Sequence, residues 1–325
     1  MKIHVACLSL VLLGACRSSA LSGSVDLAGL GDLKSGSQDL ATLDLAMPTQ
    51  TSNTTQDLLG VWGSSATDVY IVGRAGTILH SSGDGQWTAQ TSGVTEDLEA
   101  IWGSSASDIY VAGMTHVLHS TGGGTWTVQS TPSPGNLGVW GSGPSDIYAG
   151  GLFALAHSTG DGTWTAIPAS ESDAGYFSIT GSGPNDVWAI GGDANGLGMG
   201  SGGYEHFDGS WAWNAVSTVE NMKGVAFTSA ARFIVGNGGL IYSDHGSGFV
   251  KEVSNAVDDL NAVWAAADGT VFAVGGSGTA LTSTGDGSWS GLSTPSALPL
   301  AAVWGTSAQN VYAVGMGGEI IRLSN

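Results

Sequence analysis

From residue 58 to the C-terminus, apolar positions fall into short runs, and Gly, Ser, Asp and Asn fill the gaps between them. One stretch reads Leu98-Glu-Ala-Ile-Trp102, then a Gly-Ser-Ser-Ala-Ser-Asp turn, then Ile109-Tyr-Val-Ala112, then Val117-Leu-His119. β-Branched and aromatic residues dominate these runs, which suits a pleated, half-buried surface. Runs this short, bounded by turn formers, predict strands, and no helical period interrupts them. Asp and Ser at the turns can hydrogen-bond their own backbone and cap them.

The same four-run unit of about 40 residues recurs seven times, a period that marks a repeat architecture. Its landmark Trp stands at positions 62, 102, 140, 264 and 304, and a Gly follows each one except Trp264. Thr180 and Ala226 occupy the equivalent place in the fourth and fifth copies. Four antiparallel strands per unit, repeated radially, predict an all-β fold: a seven-bladed β-propeller. The seventh copy stops after its third strand at Ile320-Ile-Arg-Leu-Ser-Asn325. The stretch Thr49-Gln-Thr-Ser-Asn-Thr-Thr-Gln-Asp-Leu58 matches Ala89-Gln-Thr-Ser-Gly-Val-Thr-Glu-Asp-Leu98, which contains a fourth strand. An N-terminal strand is therefore expected to complete the last blade, closing the ring and removing open sheet edges.

The turn Ser158-Thr-Gly-Asp-Gly-Thr-Trp164 recurs with changes at 81–87, 120–126 and 283–289. It resembles the Asp-box, or BNR repeat, of bacterial propellers. The Asp-Val-Tyr-x-Val-Gly phrase with its following Thr-Ile-Leu-His is similar to repeats of photosystem II assembly-factor-type propellers. The resemblance spans residues 47–325 and implies that the box is a folding element. It departs at Gly123, which replaces the box Asp, and at Gly246-Ser-Gly-Phe249.

The N-terminus reads as a processing signal over residues 1–16. Lys2 precedes a short apolar core, Val5 to Leu13, and Leu13-Gly-Ala-Cys16 is similar to a lipobox. That likeness implies acylation at Cys16 and cleavage before it. Arg17 follows where an inner-membrane retention Asp would stand, so the expected location is the outer membrane. Residues 17–46 are poor in aromatic and β-branched side chains and predict a flexible tether. Such a tether would reach on the order of 30 Å. The propeller is expected over residues 47–325, as a monomer.

Composition narrows the function classes. Both cysteines, Cys7 and Cys16, lie in the signal, so thiol chemistry and cysteine metal sites are excluded from the repeat region. The net charge of −19 with eight Lys and Arg opposes nucleic acid, whose phosphates need basic partners. No cofactor or metal site is expected. His80, His119 and His157 share one strand position in successive units, as do Asp68, Asp108, Asp146 and Asp186 at a turn. These recurring residues predict packing and hydrogen bonding, spread around the ring.

A sialidase, the enzyme class associated with Asp-boxes, needs three convergent arginines. The repeat region offers Arg74, Arg232 and Arg322, and the first two fall on loops of opposite faces. No paired acid and base for a glycoside hydrolase is evident, so the chain is expected not to be an enzyme. The fourth unit departs most from the pattern, with a Gly-rich loop over residues 191–203 and Trp211 and Trp213 close together. Long loops on rigid scaffolds often bind. Asp173, Asp193, Asn195, Glu205 and Trp213 are the candidate binding residues. The expected role is a lipid-anchored interaction or assembly scaffold with an envelope protein as partner. The alternative is a glycan-binding, lectin-like propeller, since twelve Trp could stack on sugars.

Overall fold

A computed structural model describes residues 49–132, 135–152, 154–168, 174–193, 202–217 and 221–323. They form seven four-stranded antiparallel sheets, six of them ordered along the chain and the seventh completed by the N-terminal strand, arranged as a seven-bladed β-propeller. In blade 1 the strands are Leu58–Ser65, Asp68–Gly73, Thr77–Ser81 and Thr88–Thr91. The second strand is apolar along nearly its whole length because neighbouring blades cover both of its faces. The fourth strand lies outermost and is mostly exposed, hence its Thr and Gln. The first strands of all seven blades line the axial channel.

The ring closes as the sequence match requires. Thr49–Thr51 pairs antiparallel with Glu319–Leu323, placing Thr49 opposite Ile321 and Thr51 opposite Glu319. Gln50 of this strand accepts a hydrogen bond from Trp87 Nε1 of blade 1 at 2.8 Å. Trp126 donates to Gln90 and Trp164 to Gln129 in the same way, and Trp289 donates to Glu252. The turn Trp of each of these blades thus bonds the outer strand of the blade before it.

A second contact repeats between first strands. Trp62 packs where a Cβ on Gly103 would come within 2.6 Å, and Trp102 and Trp140 pack likewise on Gly141 and Gly181. Blade 6 lacks the Gly because its neighbour carries Ala226 in place of Trp, so Ala265 fits after Trp264. Thr180 is likewise small, and blade 5 places Phe227 where five other blades have Gly.

The turns between third and fourth strands need left-handed backbone at two positions, and Gly83 (φ 82°) and Gly85 (φ 81°) supply it in blade 1. Asp84, between them, accepts from Gln86 N, and Asp161 and Asp286 cap the equivalent turns. Arg232 begins the second strand of blade 5, instead of sitting in the turn before it.

Candidate functional site

Three features of the described residues could carry chemistry. The first is a series of Asp–His pairs. His80, His119 and His157 each set Nε2 2.8 Å from Oδ1 of Asp68, Asp108 and Asp146. His206 makes the same bond to Asp186, although a longer loop hides its equivalence in sequence. Each imidazole also packs on the aromatic opposite it, as His119 does on Tyr110 with ring centroids 4.4 Å apart. Burial, reinforced by the Asp108 carboxylate, pushes the Tyr110 phenol up to about 12. Ser104 Oγ donates to the other oxygen of Asp108. The carboxylate therefore stands between hydroxyl and imidazole, and the imidazole is not placed to take the hydroxyl proton, as nucleophile activation requires.

The second feature is a cleft of about 390 Å³ between blades 4 and 5, lined by Asp186, Phe227, Arg232, Asp244 and His245. Arg232 replaces an aliphatic residue of the repeat. It pairs with Asp244 at 3.0 Å and lies 5.1 Å from the Trp188 ring centroid. Asp244 also accepts from Gly246 N and Gly248 N, and Asp186 from Ser182, Trp188 and His206. Arg232, Asp244 and Asp186 are thus all engaged within the protein.

The third is the mouth of the axial channel, which opens on the face bearing the interblade connections. A cavity of about 210 Å³ runs between the first strands. Successive blades place Leu59, Glu99, Leu137, Phe177, Lys223, Asn261 and Ala301 at one structural position around it, all half-buried. Lys223 Nζ bonds Asp259 at 2.9 Å and Asn261 at 3.0 Å, and Asn261 Nδ2 donates to the Leu300 carbonyl. These bonds latch blades 5, 6 and 7 together. Glu99, across the mouth, makes no hydrogen bond among the described residues. Burial and the neighbouring Asp97 carboxylate raise its pKa, against the pull of Arg74. Arg74 is held by Asp57 at 2.9 Å and Asp97 at 2.6 Å.

Of the candidate binding residues of the fourth blade, Glu205 and Trp213 have described side chains. Glu205, expected on a surface patch, is fully buried and accepts a hydrogen bond from the Tyr176 hydroxyl at 3.0 Å. It occupies the core position that Leu79 fills in blade 1, so burial corrects the surface placement. Trp213 pairs across the sheet from Glu205 and packs partly buried against the same core. Asp193 ends the second strand of blade 4, on the face of the channel mouth. Asp173 and Asn195 lie outside the described residues, as do Cys16 and residues 1–46, expected as signal and tether. The mouth escaped the sequence because its residues sit one per blade at a position that otherwise varies freely. The available signal was Glu99 and Lys223, charges one residue inside otherwise apolar first strands.

The three arginines each have their own partner, Arg322 bonding Asn310, and do not converge. Among the described residues, no three His, Cys, Asp or Glu side chains are grouped to hold a metal ion.

The fold has close counterparts among solved structures. By fold, the chain is similar to YCF48. The protein from Cyanidioschyzon merolae superposes with a TM-score of 0.69 at 18% identity, covering 86% of this chain and 99% of that one. A structure of YCF48 bound to D1 peptide gives 0.67 at 18% identity, covering 86% and 96%. A catalytically inactive virginiamycin B lyase from Staphylococcus aureus with quinupristin gives 0.75 at 15% identity, covering 86% and 99%. These identities speak for the seven-bladed architecture alone. No protein-family model and no curated protein sequence matches the chain.

Proposed function

We propose that this protein is a non-enzymatic interaction platform, anchored through a lipid at Cys16 to the outer membrane, that holds a segment of an envelope protein over its axial channel mouth. The observation that carries this reading is the contrast among polar groups. The Asp–His pairs bond within themselves, and Arg232, Asp244 and Asp186 of the cleft are all engaged, whereas Glu99 lines the mouth half-buried and makes no hydrogen bond among the described residues. A half-buried carboxylate lining an open cavity keeps its accepting positions for water or for a donor from outside the molecule. Leu59, Leu137, Phe177 and Ala301 add apolar surface beside it. YCF48 with its bound peptide supports the reading by showing that a propeller of this architecture can take a peptide.

A catalytic role has less support. No hydroxyl faces an imidazole in the Asp–His series, and the arginines are dispersed. The lectin alternative needs exposed Trp faces, but Trp62, Trp102, Trp140, Trp264 and Trp304 pack against the next blade. The Asp-box likeness fits a folding role, because the box Asp caps its own turn.

The test is affinity capture from envelope extracts with the full-length chain and with its Leu137→Asp variant, which places a charge in the mouth. A partner retained by the wild type and lost by the variant is expected. Equal capture by both would remove the mouth from the proposal. Metabolic labelling with a fatty acid, present in the wild type and absent in Cys16→Ser, tests the anchor.

A further inference from the structure

We infer that the channel mouth selects a cationic side chain, the guanidinium or ammonium of an Arg or Lys in the partner segment, and receives it at Glu99. This rests on the mouth being the partner-binding site and adds the chemistry of what enters it.

Three observations converge on it. First, the charges on the rim are unequally committed. Lys223 is tied to Asp259 and Asn261, and Arg74 to Asp57 and Asp97, so neither cation forms a hydrogen-bonded ion pair with Glu99. Asp57 is further engaged by Gly317 N, Asp97 by Ala75 N, and Asp259 by Gly238 N. Glu96 accepts from Thr115 and meets His116 Nδ1 at 2.9 Å. Among the described residues, Glu99 is the carboxylate that lines the cavity itself, and it accepts no hydrogen bond.

Second, the surroundings make a cation the fitting occupant. Glu99 stands between Leu59 of blade 1 and Leu137 of blade 3, with Phe177 one blade further on. An Arg or Lys has an apolar stem that can lie along such residues while its head reaches the carboxylate. A neutral donor would leave the charge uncompensated, and an anion would be repelled by Glu99 and Asp97 together.

Third, size separates a side chain from a free ligand. Small-molecule pockets usually run from about 300 Å³ upward. The cavity here, about 210 Å³ and open at the rim, has room for one long side chain whose backbone stays outside.

The experiment uses the full-length chain and two capped pentapeptides of Gly and Leu, one with a central Arg and one with the neutral isostere citrulline. Calorimetry should give about tenfold tighter binding of the Arg peptide, as a charge-assisted hydrogen bond supplies. In Glu99→Gln the ratio should fall below twofold, with the variant at least as thermally stable as the wild type. Equal affinities in the wild type, or a preference surviving in Glu99→Gln, would overturn the inference. Equal binding of both peptides, lost in Leu137→Asp, would overturn it while keeping the mouth as a segment-binding site. Absence of binding by either peptide would also overturn it, and the capture experiment then judges the platform reading by itself.

Discussion

Trp304 of the last blade lies on Gly63 of the first: a Cβ at Gly63 would sit 2.6 Å from the Trp304 ring carbon Cη2. The residues are 241 positions apart in the chain, yet they make the contact that joins Trp62 to Gly103 and Trp102 to Gly141 between consecutive blades. Ring closure is thus built from the same wedge as every other Trp-bearing seam. Gly63→Ala should cost about 1–3 kcal/mol by overpacking, read from chemical denaturation. In a Trp304→Ala background the cost should shrink but not vanish, because the Asp68 carbonyl is also 2.6 Å from that Cβ.

Closure also depends on the strand Thr49–Thr51. A chain lacking residues up to 52 loses the pairing with Glu319–Leu323 and the Gln50 acceptor for Trp87. The third strand of blade 7 then becomes an open edge, which invites pairing with other chains. Size-exclusion chromatography should show association, and the melting temperature should fall.

The Asp–His pairs are a stability device. His119→Ala removes a hydrogen bond to Asp108 and a ring contact with Tyr110. The expected loss is about 1–2 kcal/mol of unfolding free energy, measured by urea titration. Loss of a metal or of an activity would contradict this assignment.

Glu99 should destabilise the free protein at neutral pH. Its folded pKa lies above the unfolded value, so the folded state binds more protons between the two, and stability falls as pH rises through that window. Glu99→Gln should therefore raise the melting temperature at pH 7, and the gain should disappear below the ordinary glutamate range. A melting profile with no pH-dependent gain would contradict the burial of this carboxylate.

Tyr176 and Glu205 replace the Leu58 and Leu79 of blade 1 inside the core of blade 4. Tyr176→Phe alone removes a donor from a buried carboxylate and should cost about 1–3 kcal/mol. Restoring Leu at both positions should be neutral or stabilising, since apolar packing often equals a buried polar pair. Calorimetric melting of the three proteins checks both statements.

The repeat alone determined much of this molecule. Its period, turn residues and matched ends specified seven four-stranded blades and the strand that closes them, because strand patterning and turn chemistry are local and each blade states them again. The missing Gly after Trp264 was visible too, but not its cause, which lies in Ala226 on the neighbouring blade. The pairing of His80 with Asp68, the burial of Glu205 and the isolation of Glu99 belong to tertiary structure. In each case the deciding partner, or the lack of one, sits on another strand or blade, where spacing along one chain carries no record of distance. The periodic sequence could show which residues build the scaffold; only folding showed that Glu99 lines the channel mouth without a hydrogen bond among the described residues.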